Sequence, residues 1–247
     1  MSIASEIARL QQAKADLATA IENKGVTVPA SATLDDYAAL VDSIQQGGGL
    51  PYDAEVEYIE SSGTQYFDTG IKMSNDCYIE IALNSKGSSF NVFGARAGAS
   101  SKNIMISVAG NNHAYSIDFN NSNYSPYRAI ITSNTNPQTK VKLVASKEVR
   151  GIYKYPDNTN IVVNSTLCPD VFTCDTNALL LNTSGSPYYS AGFKGQLFYC
   201  TIKRNGVSIM ELIPVRIGQT GLLYDKVNKK LFGNQGTGSF ILGADKN

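Results

Sequence analysis

The residues best placed to do chemistry are three glutamates, Glu55, Glu57 and Glu60, in the stretch "DAEVEYIESSGTQYFDTG" at residues 53–70. Two carboxyl groups about 5–5.5 Å apart can cleave a glycosidic bond with retention, one as nucleophile and one as acid/base. On one β-strand, alternation puts Glu55 and Glu57 on the same face, and Glu60 on the other unless a bulge intervenes. Neighbouring carboxylates of like charge need a shifted pKa before either can act as an acid. The simpler expectation is a set of solvated acids on an opening strand. No tryptophan is present to stack a pyranose ring, although the chain has 14 tyrosines.

Other catalytic inventories are poorer. The single histidine, His113, sits in "GNNHAY" with no G-x-S-x-G stretch before a helix, so a serine–histidine–acid triad has no support. "GARAGASSK" at 94–102 is glycine-rich but lacks the spacing of a phosphate-cradling loop. Cys77, Cys168, Cys174 and Cys200 show no paired metal spacing, which predicts buried free thiols in a protein made in a reducing cytoplasm, and no metal site. The candidate oxygen ligands for calcium are Asp118, Asn120 and Asn121 in "DFNNSN", and Asp157 with Asn158 in "PDNTN". Such Asx-rich loops more often satisfy their own backbone, so no cofactor is expected.

Binding is the sharper expectation. Tyr115, Tyr124, Tyr127, Tyr188 and Tyr189 fall in or beside polar loops, with Asn120 and Asn121 close by. Flat amphipathic rings can stack on sugars while amide side chains bond hydroxyls. These residues are the candidate ligand contacts.

The elements that must position them fall into two regions. Residues 2–46 read as helical. Ile3, Ile7, Leu10, Leu17 and Ile21 repeat at the four-three spacing of a coiled-coil seam, interrupted by Lys14. Asn23-Lys24-Gly25 supplies a stop, and Thr33 can cap a second helix with Asp35 and Asp36 in its first turn. Leu34, Tyr37, Leu40, Val41 and Ile44 make one apolar face on that helix. Neither helix is long enough to stand alone in water, so each must bury its stripe against its neighbour, a copy of itself or another protein. The spacing predicts a homo-oligomer, and Ile at one seam position with Leu at the other favours a parallel dimer over a seam of barely three heptads.

Gly47-Gly48-Gly49 and Pro51 make residues 47–52 a flexible joint. From residue 53 to 247 short alternating runs such as "CYIEIAL", "FNVFGA", "NIMISVA", "AYSIDF" and "GQLFYCTIKRNG" are separated by Asn, Ser and Gly. Many strands without intervening helices predict a mainly β antiparallel sandwich. Asn205-Gly206 in "IKRNGVSI" predicts a type I′ hairpin. With 21 basic and 21 acidic residues and no polybasic run, the chain is not built to hold nucleic acid. No apolar run is long enough to span a bilayer, and the N-terminus has no apolar signal-peptide core, which predicts neither membrane insertion nor export.

"VEYIESSGTQYFDTGIK", "FGAR" and the long run from "GFKGQLFYCTIKRNG" to "GSFILG" resemble the concanavalin A-like lectin/glucanase, or laminin-G-like, jelly rolls of phage virion proteins. "AKADLATAIENKGVTVPASATLDDYAALVDSI" is similar to a segment recurrent in phage tail and fibre proteins. The resemblance implies a virion appendage of tail- or head-fibre type, synthesised in a bacterial host. Its N-terminal helices would attach to other virion proteins, and its jelly roll would be displayed for host-surface glycan; phage fibres are usually trimeric, so the resemblance makes a homotrimer the preferred assembly over the dimer. Jelly-roll glucanases carry E-x-D-x-x-E mid-domain, whereas here Glu57 replaces the aspartate and the stretch opens the domain, so a non-enzymatic module is expected. A glycan hydrolase and a ligand-free decoration protein remain the alternatives, because the fold hosts all three.

Overall fold

The structure, a computed structural model, describes residues 2–22, 27–29, 31–42, 50–87, 90–96, 103–109, 114–120, 126–130, 139–184 and 192–246. The chain divides into two compact units, Met1–Pro51 and Tyr52–Asn247. Ile44, the glycine joint and the Asn23-Lys24-Gly25 stop lie outside the described residues.

In the first unit, α1 (Ile3–Glu22) begins behind Ser2, whose hydroxyl oxygen accepts the Ser5 N–H at 3.2 Å. α2 (Asp36–Asp42) follows a short connector. Thr33 does not cap α2 as its residue type suggests. Its N–H and hydroxyl both donate to the Asp36 carboxylate, at 2.7 and 2.8 Å, and the backbone bond holds the Asp36 pKa below the usual range. Ile21, Ala32 and Tyr37 form a small core, flanked by Ala18, Val28 and Leu40. Lys14 turns into this unit, donating to the Ala32 carbonyl and lying 5.9 Å from the Tyr37 ring.

The expected seam, interrupted at Lys14, is therefore divided. Its C-terminal end, with Lys14 and Ile21, is covered by the connector and α2. Ile3, Ile7, Leu10 and Leu17 stay 82%, 51%, 51% and 41% exposed. The face expected on α2 divides likewise, with Tyr37 inward and Leu34 and Val41 exposed.

The second unit is an antiparallel sandwich. In chain order its strands are β1 (Ala54–Glu55), β2 (Ile59–Ser62), β3 (Phe67–Ser74), β4 (Cys77–Ser85), β5 (Phe90–Arg96) and β6 (Asn103–Ala109). There follow β7 (Ala114–Phe119), β8 (Arg128–Ile130), β9 (Val141–Ala145), β10 (Arg150–Lys154), β11 (Asn160–Asn164) and β12 (Thr173–Leu180). β13 (Lys194–Arg204), β14 (Val207–Ile217), β15 (Thr220–Asp225), β16 (Lys230–Phe232) and β17 (Ile241–Leu242) complete it.

One sheet runs β11-β10-β9-β4-β13-β14-β15-β16, with β2 alongside β13, β17 on β2 and β1 on β14. The other runs β3-β12-β5-β6-β7-β8. Alternation aims Ile79 and Ile81 of β4 and Cys200 and Ile202 of β13 at Ile104, Ile106, Ile117 and Phe119 of the opposite sheet, all in one buried core. The type I′ hairpin forms as expected: Asn205 and Gly206 have φ of 49° and 80° between β13 and β14, where Arg204 pairs Val207.

The sheets are tied together at the β11/β8 edge. Arg150 is fully buried, and its guanidinium donates to the carbonyls of Ser146 (3.1 Å), Lys147 (2.9 Å) and Thr166 and to Asn164 Oδ1 (3.2 Å). The Asn164 amide in turn donates to the Pro126 and Arg128 carbonyls, both at 2.8 Å. A buried guanidinium is tolerated where carbonyl oxygens converge on it.

Candidate functional site

The opening glutamates do not share a strand. β1 ends at Glu55, Val56 makes an isolated bridge to Asp245, and β2 begins only at Ile59. The alternation expected across "EVEYIE" is broken at Glu57-Tyr58, because the chain leaves β14 and joins β13 within four residues. Glu55 accepts the Tyr52 hydroxyl at 3.2 Å, and Glu60 accepts Lys86 Nζ at 2.6 Å and Gln196 Nε2 at 3.1 Å. Glu57 is exposed and lines a groove described below. The three side chains thus have three different environments.

The loop residues proposed as sugar contacts fare unevenly. Asn121, Tyr124, Tyr188 and Tyr189 lie outside the described residues, as does His113. Tyr115 is 2% exposed in the core, and its hydroxyl oxygen accepts the Ser85 N–H at 3.3 Å; burial pushes its pKa up. Its ring cannot meet a ligand, a correction that follows from its sharing the inner face of β7 with Ile117 and Phe119. Tyr127 is half-buried against the core.

Asn120 takes a left-handed conformation (φ 73°) after β7 and donates its amide to Asp170 at 2.5 Å. Asp118, entered as an oxygen ligand, is buried and paired to Arg128 Nε at 3.0 Å, its directly opposite neighbour on β8. Asp157 accepts the Thr159 N–H at 3.2 Å, and Asn158 turns the β10–β11 hairpin with φ of 60°. Asp118, Asn120, Asp157 and Asn158 thus take part in pairing and turns, and Asn121 lies outside the described residues.

A different cluster, not anticipated from the sequence, lies on the outer face of the larger sheet. Opposite Leu83 and Ala82 of β4, β13 places Leu197 and then Tyr199, so Phe198 is an extra residue in a bulge. The phase slip sends both Phe198 and Tyr199 outward while Leu197 and Cys200 stay in the core. Phe198 packs against Tyr58 (ring centroids 5.9 Å) and stacks on Tyr155 (5.8 Å, planes 30° apart). Tyr155 meets Tyr199 edge-on at 5.9 Å, and Lys140 Nζ lies 4.6 Å from the Phe198 ring centre.

Glu80, also outward on β4, accepts the Tyr199 hydroxyl at 2.6 Å and the Tyr78 hydroxyl at 2.7 Å. Burial, and then these bonds to the carboxylate, push both phenol pKa values up. Glu80 thereby fixes the rings on either side of it. Tyr155, Phe198 and Tyr199 of this cluster form one wall of a groove of about 390 Å³ whose polar lining includes Glu57, Thr201, Glu211, Lys140, Lys226 and Lys246. Phe198 is buried at 7% exposure, but Tyr155 and Tyr199 are half-buried, and such rings beside hydroxyl, carboxylate and ammonium groups suit a flat ligand with many hydroxyls. The adjacent bulky pair in "QLFYC" was the available signal, since strict alternation would have buried one of them.

No family model matches this chain, and no curated protein matches it in sequence. Among solved structures, a Bacteroides ovatus protein provisionally described as carbohydrate-binding superposes on it with a TM-score of 0.52 at 8% identity. The superposition covers 79% of this chain and 61% of that one, so this chain spans less than two thirds of the other protein's length. At such low identity the likeness is one of fold: a mainly β sandwich of two antiparallel sheets.

Proposed function

We propose that the protein is a glycan-binding appendage protein of a bacteriophage virion, which binds host-surface polysaccharide without cutting it. The observation that carries the binding reading is the run of outward rings Tyr155, Phe198 and Tyr199 along a polar groove, with Tyr58 packed on Phe198. The carbohydrate-binding description of a protein with the same sandwich supports it. Binding rather than hydrolysis is supported by the engagement of Glu60 with Lys86 and by the break between β1 and β2. A virion setting is supported by the phage-like phrases of the sequence and by a helical unit with an apolar stripe of its own.

A glycan array probed with the full chain tests this. Wild type should bind a subset of polysaccharides without releasing reducing ends, and Tyr155→Ala should lose that binding while keeping its melting temperature. Reducing-end release, or binding untouched by Tyr155→Ala, would overturn the reading.

In the helical unit, the exposed Ile3, Ile7, Leu10 and Leu17 are the surface that copies of the chain, preferably three, would bury together, with virion proteins docking nearby. Sedimentation should give trimers for wild type and monomers for the Ile7→Gln, Leu10→Gln double variant. A monomeric wild type would refute the assembly.

A further inference from the structure

Among the described residues a second cavity lies apart from the aromatic groove. It is a cleft of about 880 Å³ between β3 of the smaller sheet and β14, β15 and β16 of the larger. Ile71, Ile209 and Phe232, each half-buried, give it an apolar floor over the buried Met210. Lys72 from β3, Arg204 from β13 and Lys230 from β16 bring three cations to its walls.

The two lining acids are already engaged. Asp225 is fully buried, with Oδ1 accepting the N–H groups of Glu211 and Val227, both at 3.0 Å, and Oδ2 accepting the Asn228 amide at 2.6 Å. Asp76 accepts the Ser74 hydroxyl and the Asn205 amide and lies 3.8 Å from Arg204 Nε. Among the described residues no carboxylate stands within ion-pair distance of Lys72 or Lys230. The Arg204 guanidinium is steadied by its bond to the Lys72 carbonyl at 2.8 Å, and Lys230 lies 5.1 Å from the Phe232 ring centre.

We infer that this cleft is a second binding site, for a pyranose bearing a carboxylate, such as a uronic acid unit of an acidic polysaccharide. The floor takes the apolar C–H face of the sugar ring. The ammonium groups of Lys72 and Lys230 hold its carboxylate, and Asn75 and Thr173 lie within the same lining to meet hydroxyls. A neutral sugar would leave Lys72 and Lys230 without a carboxylate, and a bare inorganic anion would leave the floor uncovered. Both halves of the lining are used only by a ring that carries its own negative charge.

The test uses the full chain and a matched pair of probes, methyl glucuronide and methyl glucoside, followed by amide chemical shifts. The glucuronide should bind about tenfold tighter than the glucoside, the difference expected of one charge-assisted contact pair, and its affinity should fall with salt. Amides near Lys72 and Lys230 should shift. A Lys72→Met, Lys230→Met double variant, which keeps the aliphatic stems of two exposed residues, should lose that preference without a change in melting temperature. Tyr155→Ala should leave it intact, so this site and the aromatic groove succeed or fail separately. Equal binding of the two glycosides, an unaltered double variant, or inorganic phosphate binding as tightly as the glucuronide would each overturn the assignment.

Discussion

Replacing Arg150 by Met should destabilise the sandwich by about 3 kcal/mol, a cost that follows from what the guanidinium holds. It donates to four oxygens, three of them backbone carbonyls, in the loops around Ser146–Lys147 and Asn164–Thr166. At about 1.5 kcal/mol for each bond from a charged donor, the gross loss is about 6 kcal/mol. Part of that returns. Lys147 is half-buried and Thr166 exposed, so water reaches their carbonyls more readily, and the variant no longer buries a cation. Ser146, 4% exposed, keeps a carbonyl that water cannot easily reach, and Asn164 loses the partner that orients its amide toward Pro126 and Arg128.

In urea denaturation followed by tyrosine fluorescence, about 3 kcal/mol at a slope of about 2 kcal/mol per molar moves the sandwich midpoint down by about 1.5 M. Arg150→Lys should recover less than half of the loss, since one ammonium cannot span both loops. A midpoint shift below about 0.5 M for Arg150→Met, or full recovery by lysine, would refute the clamp.

Stability should also fall steeply on the alkaline side. Burial pushes Tyr52 up to about 12 from 10.0 and raises Tyr115 as well, so the folded state keeps phenol protons that the unfolded chain releases above about pH 10. That stability is fully present below pH 10 and is lost at about 1.4 kcal/mol per pH unit for each buried phenol, with Cys174, raised to about 12 from 9.0, adding to the loss. A melting temperature flat from pH 9 to 11 would contradict this. Gly195→Ala should cost about 3 kcal/mol, because at φ of +146° its Cβ would stand 2.3 Å from the Asn84 carbonyl oxygen. Gly206→Ala, in a turn with open space around it, should cost only about 1 kcal/mol, and equal melting temperatures for the two variants would show that the β4–β13 contact is not what crowds Gly195.

Hydrophobic period and turn chemistry were enough to determine the two-part organisation, the antiparallel sandwich and the Asn205-Gly206 hairpin. These are local signals: a period of 3.6 or 2 reports that a face is buried, and Asn-Gly reports a backbone that tolerates positive φ. The same period already placed Tyr115 with Ile117 and Phe119, so its burial was legible although its loop-side position drew it toward the ligand set. Local pattern does not say what covers a face. The stripe of α1 was legible, yet α2 and its connector claim Lys14 and Ile21 and leave Ile3, Ile7, Leu10 and Leu17 open.

The sites depended on long-range pairing. Glu80 and Tyr199 are 119 positions apart and become neighbours only because β4 lies against β13, and the bulge at Phe198 is set by that register. Lys72, Arg204 and Lys230 converge for the same reason, from strands in two sheets. The three glutamates that seemed most chemical share a short stretch of sequence but not a strand, because the backbone bends between β1 and β2 to reach different partners. Side-chain chemistry is written in the sequence, but which side chains meet is decided by strand order and register.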